Sequence, residues 1–526
     1  MLLTLIAFLP IFLLLVLMAV LRWPASRAMP VAWVFTVLVG IFAWSVPSSV
    51  LAASSLKGAF VAVEILLIVF GAVLLLRLLE KGGAIGVIDR LLTSVSPDRR
   101  VQAVFVAWMF GSFIEGAAGF GTPVAFAAPL LVSIGFPAIA AVIVALVANS
   151  TAVTFGAVGT PILLGIGSIL PEGMQYLLSD VSLASALLHA IIGTFVPLAM
   201  ACILTRFFGA NKSWMEGLSV WPYAIWAGLC FTVPYYLSAR FLGPEFPSLV
   251  GGIAGMLLLG MTTKVGLFVP KTAWGFPRTW PKEWETPRSA RRVHSPIPLW
   301  KALLPYCLVA VLLIITRLRE LPVGTMLKKA SIVIPFAKYA ISPFYSPGFV
   351  FILVCIVVWF LYGMTRRDVM VAVDDAFVRL WKPLVALVFA IATVQIIMNS
   401  GSNTAGLPSM PWVIGNAFAS FGSVFLLLSP LLGVIGSFIA GSNTVSNLLF
   451  GPFQLETAIT LGFAPFVVLA LQSVGGAVGN MIAVHNIIAA SATAGLYGEE
   501  GRIIKMNIVP AVVYALLAGM LAIVLF

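Results

Sequence analysis

Apolar runs of about 20 residues follow one another along almost the whole 526-residue chain, separated by short polar loops. The first is Leu2 to Leu21, and others lie at roughly 30–51, 57–79, 137–158, 183–205, 219–238, 247–266, 300–316, 347–363, 383–399, 464–484 and 506–526. A helix of that length satisfies all its backbone amides internally, which a hydrocarbon core demands. With 61% hydrophobic and only 9% charged residues, no stretch remains for a separate water-soluble domain. The expected fold class is an all-α polytopic membrane protein with about 12 to 14 transmembrane helices.

Two apolar stretches, 101–134 and 421–462, are too long for one span and are broken in the middle by Gly, Pro, Ser and Asn. Each reads as a re-entrant hairpin that enters and leaves on one side. Two full crossings apiece would leave the sidedness downstream unchanged. The first contains "GSFIEGAAGFGTP" from Gly111, and the second contains "GSFIAGSNTVSN" from Gly436, about 325 residues later.

Basic residues test the sidedness, because cytoplasmic loops are enriched in Lys and Arg. The first run lacks a basic n-region and has Arg22 and Arg27 on its far side, so it reads as an uncleaved span with its N-terminus outside. On that map 23 of the 30 Lys and Arg residues fall in inside loops, eight of them from Lys264 to Lys301. Five of the seven outside ones sit in 317–346, the segment that fits least well. The net charge of +12 thus reports topology and gives no reason to invoke nucleic acid.

Span 57–79 matches span 383–399, hairpin 101–134 matches hairpin 421–462, and span 183–205 matches span 506–526. An odd number of crossings separates each element from its counterpart, so the second copy is inverted. The organisation expected is a first inverted repeat over 1–210, linker helices and a basic cytoplasmic loop over 211–299, and a second repeat over 300–526. Interrupted segments at equivalent places in inverted repeats point to a secondary transporter and to its binding site.

Irregular backbone is tolerated at membrane depth only where protein or a water-filled cavity satisfies it, and the N–H groups at a half-helix start attract an anion. The substrate-binding candidates are therefore Gly116, Gly119, Gly121 and Thr122 at the first tip, and Ser442, Asn443, Thr444, Ser446 and Asn447 at the second. Asn149, Ser150, Thr151 and Gln472 join them as polar residues at the centres of the next spans, where Ser473 and Asn480 also lie. No span centre carries Arg or Lys, so hydrogen bonds and helix ends would have to hold an anion.

A carboxylate near the bilayer centre costs roughly 2.5–3.5 kcal/mol on insertion scales. Burial favours its neutral form, the property a proton carrier requires. Glu115 at the first tip and Glu64 in span 57–79 are the proton-coupling candidates, with His485 a third at the inner end of its span. Each also has a plain structural reading, as a group that ties helices together or, for His485, as a solvated terminus; His189 reads as a satisfied core histidine. Cys202, Cys230, Cys307 and Cys355 are scattered singly, and no spacing suggests a disulfide or a metal site.

The strings "GSFIEGAAGFGTPVAFAAPLL", "ALVANSTAVTFGAVGTP", "GSFIAGSNTVSNLLFGPFQ" and "GGAVGNMIAVHNIIAA" resemble the lactate permease family of bacterial and archaeal membrane carriers. The resemblance covers essentially the whole chain. It implies proton symport of L-lactate, often with D-lactate and glycolate, across the cytoplasmic membrane, with the proton as coupling ion and no other cofactor. It also implies a wider ion-transporter superfamily with paired hairpins and Ser-Asn-Thr motifs; Ser442-Asn443-Thr444 matches, whereas the first tip has Ala118 and Gly119 at the positions aligned with Asn443 and Thr444.

A sodium-coupled carboxylate or dicarboxylate carrier of the same superfamily is the alternative. An intramembrane enzyme is disfavoured by the absence of a His-Glu-x-x-His motif and of a phosphate-binding Gly-rich loop. The partners expected are a small 2-hydroxy monocarboxylate and the lipid bilayer, in a monomer or homodimer.

Overall fold

The long apolar runs fold as helices, and polar residues cap or break them. A computed structural model describes residues 2–21, 23–87, 95–119, 121–277, 280, 297–317, 321–337, 339–496 and 498–526. Among these, nine helices are long and apolar enough to cross a membrane, or ten if the pair Leu177–Gly193 and Val196–Phe208, bent by 41°, is one span. The chain is an all-α polytopic membrane protein, and its described strands are one short antiparallel ladder pairing Ile332–Ile334 with Tyr339–Ile341. Its packing matches a lipid solvent: large side chains such as Phe42, Val63, Leu257, Phe360 and Val524 are exposed, while Asn447, Gln472 and Asn507 are fully buried.

Two long helices, Ser48–Lys81 and Arg366–Met398, pack along each other. Gly58 makes the approach possible, since a Cβ there would overlap the Ala392 backbone, and a Cβ on Gly71 would come within 2.7 Å of the Gly348 carbonyl oxygen. At 33 residues the second helix is about 50 Å long, well beyond the roughly 30 Å hydrocarbon core. Its polar first half is the loop expected before span 383–399. Thr365 and Asp368 form a capping box that starts the helix in that polar region.

Both overlong stretches are broken where the glycines lie. The first runs as a buried helix over Arg99–Ala118, turns through Gly119 (φ 57°) and Gly121 (φ 75°), and resumes as Thr122–Ser133. The second runs as Phe425–Ala440, turns at Gly441 (φ 67°), and resumes as Asn443–Leu461, with the Ser442 hydroxyl capping the Val445 amide. In each, the two arms lie against each other. Left-handed backbone at these breaks is open to glycine at little cost and to few other residues.

The correspondence continues downstream of each break. Ala138–Ala148 ends at Asn149 and Pro465–Gly479 ends at Asn480; the first is followed by short, bent helical pieces over Ala152–Ile169 and the second by the helix Val484–Thr493, before Leu177–Gly193 with Val196–Phe208 and before Glu500–Leu525. The expected span 137–158 is therefore a short helix plus a second apolar piece, Ala152–Ile169. Inside that piece three successive residues are left-handed: Ala157 (φ 42°), Val158 (φ 56°) and Gly159 (φ 74°). Hydropathy alone does not register such a turn, because Ala and Val are as apolar bent as helical.

Candidate functional site

The two breaks meet. Gly119 and Gly121 from the first and Gly441, Ser442, Asn443 and Thr444 from the second line one cavity, together with Glu115, residues of the 153–161 stretch, and Asn480. Only about 20 Å³ of the cavity admits the centre of a water molecule, so in this conformation it has room for about one water.

Glu115 lies on the last turn before the first break and is 3% exposed. Gly156 makes room for it, because a Cβ there would overlap the carboxyl oxygen Oε1. Asn149 is a polar neighbour of its carboxyl. The other oxygen, Oε2, has no hydrogen-bond partner among the described residues.

Asn443, on the opposite tip, is 2% exposed, and neither its Nδ2 nor its Oδ1 has a partner among the described residues. Gly476 leaves space for the amide, since a Cβ at that position would strike Oδ1. A buried, unpaired amide or carboxyl costs about 1–3 kcal/mol, so such groups concentrated on one cavity mark a place that a polar guest completes. Among the described residues, no Lys, Arg or His lines the cavity.

The remaining sequence candidates divide by what they touch. Gly116 faces the helix Pro247–Lys264, where a Cβ would come 2.6 Å from the Leu249 amide nitrogen, and Thr122 starts the second arm, its amide donating to the Gly119 carbonyl at 3.0 Å. Ser150 donates to the Val147 carbonyl at 2.8 Å. Thr151 lies 3.3 Å from the Tyr514 hydroxyl, and its carbonyl accepts from Tyr235.

Ser446, Asn447 and Gln472 form a buried network behind the second tip. Gln472 Nε2 donates to Ser446 Oγ at 3.0 Å, Asn447 Nδ2 donates to the Pro161 carbonyl at 3.0 Å, and Gln454 Nε2 donates to Gln472 Oε1 at 2.5 Å. These groups hold the tip and the 161 turn together and do not line the cavity.

Glu64 and His485 also lie off the cavity lining. Glu64 accepts a hydrogen bond from Tyr339 of the short ladder. His485 is exposed and packs beside Gly441, its Cβ 2.9 Å from where a glycine substituent would sit. His189 is fully partnered, with Nε2 2.8 Å from Thr154 Oγ1 and Nδ1 2.7 Å from Tyr514 Oη. That network fastens the irregular stretch after Asn149 to two helices.

Residues outside the sequence-selected binding set also line the cavity: Thr160, Gly156 and Ala157, with Asn480, which the sequence marked only as a polar span centre. Asn486 stands behind Asn480, donating to its Oδ1 at 2.6 Å, and approaches Gly121. One signal for Thr160 was present in the sequence. Gly121-Thr122-Pro123 and Gly159-Thr160-Pro161 repeat one tripeptide, and both glycines are left-handed ahead of a Pro-started helix.

Comparison with known proteins gives a consistent picture. A sequence profile described as L-lactate permease matches residues 3–338 and 330–526. A candidate L-lactate permease of Haemophilus influenzae is 33% identical, over 94% of this chain and 93% of its own. The L-lactate permease of Bacillus subtilis is 28% identical over 90% of this chain and 86% of its own, and the glycolate permease of Escherichia coli K12 is 25% identical over 98% and 94%. Among solved structures, the Alcanivorax borkumensis YdaH transporter aligns over 87% of this chain and 84% of its own, with a TM-score of 0.43 and 17% identity.

Proposed function

The chain belongs to the L-lactate permease family, and from that membership we propose that it imports L-lactate, with D-lactate and glycolate as further substrates, by proton symport across the cytoplasmic membrane. One observation carries the site assignment: Glu115, with its unpaired Oε2, and Asn443, with its unpaired amide, come from two tips more than 300 residues apart and line a single cavity.

In this reading Glu115 carries the proton. An ionised carboxylate in the cavity would have no compensating cation on the described lining, and a proton removes that cost. The lactate carboxylate accepts from Asn443 Nδ2 and from the backbone amides of Asn443 and Thr444 at the helix start, ahead of the Val445 amide that Ser442 caps. The Ser442 and Thr444 hydroxyls serve the substrate's 2-hydroxyl. With Glu115 protonated, a bound monocarboxylate is the site's one negative charge and not one of two, so moving it past the surrounding helices is cheaper than moving lactate beside an ionised Glu115.

The two breaks and the helices after them act as an inverted pair, one tip opening to each side. The alternation of long helix, broken pair, Asn-ended helix and terminal helix supports that arrangement.

The test is uptake of labelled L-lactate into proteoliposomes with an inward proton gradient and no sodium. Accumulation that vanishes when the gradient is collapsed is the expected result. Uptake that requires sodium, or none for any 2-hydroxy monocarboxylate, overturns the reading.

A further inference from the structure

A second cavity lies next to the strained turn. Its empty volume is about 1,150 Å³, of which about 480 Å³ admits water centres, and its wall includes Gln175, Tyr176, Glu245, Arg317, Lys328 and Tyr345. Pro244, also on this wall, meets the turn directly, because a Cβ on Gly159 would overlap its carbonyl oxygen. Ala157, two residues earlier, lines the central cavity, so the left-handed turn forms a thin partition between the two spaces.

The polar groups of this wall are arranged around one guanidinium. Arg317 ends the helix Leu299–Arg317, and its side chain is 7% exposed. Its Nε donates to Glu245 Oε1 at 2.7 Å, its Nη2 donates to the Tyr345 carbonyl at 2.9 Å, and its plane lies 3.8 Å from the centre of the Tyr345 ring. Lys328 Nζ sits 4.4 Å from the same ring. The third nitrogen, Nη1, is buried without a partner among the described residues.

A guanidinium held on two edges and unsatisfied on the third is preorganised for a carboxylate, and the described lining keeps a net positive charge because Glu245 offsets only one of its two cations. The same residues make up part of the misfit in the charge map. Arg317 and Lys328 are two of the five basic residues that 317–346 holds against the positive-inside bias.

We propose that this vestibule is a second anion site, in which Arg317 with Lys328 receives the carboxylate of a small monocarboxylate before it passes the Ala157–Gly159 turn. The proposal rests on the transport reading above. It divides the work: the vestibule supplies the positive field that concentrates the anion, and the central cavity, with no cation on its described lining, binds it only together with a proton.

The test labels a thiol placed in the vestibule. Thr325→Cys, in a Cys307→Ser background that removes the exposed native thiol, is reacted with an anionic sulfonatoethyl and a cationic trimethylammonium-ethyl methanethiosulfonate. Relative to their rates with a free thiol, the anionic reagent is expected to react about tenfold faster than the cationic one. L-lactate is expected to slow it, whereas chloride at equal ionic strength does not. Arg317→Gln combined with Glu245→Gln, which removes the ion pair together and leaves Lys328 on the described lining, is expected to abolish the protection by L-lactate, and Lys328→Gln, which brings that lining to neutrality, to abolish the preference for the anionic reagent.

Equal rates for the two reagents, or protection by chloride as strong as by L-lactate, overturn the proposal. Because labelling needs no turnover, lactate protection in a protein that takes up no lactate would retain the vestibule and remove the transport reading. Uptake without protection would do the reverse.

Discussion

The two tips that meet in the central cavity solve the same backbone problem with different chemistry. The first turns through Gly119 and Gly121 and brings a carboxyl, Glu115, one turn ahead of the break. The second turns through a single glycine, Gly441, and continues with Ser442, Asn443 and Thr444. Glycine opens the backbone on one side while side-chain amide and hydroxyl groups reach in from the other. The difference teaches that two breaks of like backbone can carry unlike chemistry: one brings a group that can change charge, and the other brings groups that cannot.

That division can be broken at several points. The largest effect is expected from Glu115→Gln, which keeps the shape but cannot exchange a proton at physiological pH. Gradient-driven accumulation of L-lactate should fall to the level of empty liposomes while exchange of labelled for unlabelled lactate persists. Unchanged uphill uptake would move the coupling group elsewhere.

Next comes Gly156→Ala, whose new methyl overlaps Glu115 Oε1. It should lower thermal stability by about 1–3 kcal/mol, and adding Glu115→Ala should relieve much of that loss. Additive losses in the double variant would mean that the two residues do not share the space.

Asn443→Ala sharpens the comparison from the other tip. Loss of a hydrogen bond to a charged group, worth about 1.5–3 kcal/mol, should raise the KM for lactate by about tenfold or more. Stability should hold or rise, because the amide has no partner to lose among the described residues. A fall in stability without a change in KM would make Asn443 a packing residue.

The smallest effect is expected from Glu64→Gln. Its partner is Tyr339 rather than anything in the cavity, so pH-driven uptake should stay near the wild-type level. Loss of proton coupling in this variant with Glu115 intact would transfer the coupling role to the long helix.

Much of this was legible in residue patterns. The broken segments announced themselves because glycine, serine and asparagine at membrane depth need a reason, and both breaks fall at those residues. The two tips were legible for the same cause. Gln472 and Ser446 were equally conspicuous as intramembrane polar groups, yet they bond to each other, and Gln472 also accepts from Gln454 of the helix Asn443–Leu461. A polar residue that serves a cavity and one that serves a network look alike in one dimension. Gly156 is the opposite case, since its importance lies in the carboxyl it admits, and that carboxyl is 41 residues away in the chain.

By itself the sequence determined the solvent this protein folds in, the places where its helices are interrupted, and which side chains could carry charge or hydrogen bonds inside the membrane. These properties arise from composition and local propensity, which act over a few turns of helix. Only the tertiary structure decided that the tips near 119 and 441 face one space, that Asn443 is left unpaired while Asn447 is not, and that Arg317 stands with one nitrogen unsatisfied beside a partition of three left-handed residues. Those outcomes depend on close backbone approaches between segments hundreds of residues apart, and such approaches are set by how whole helices pack.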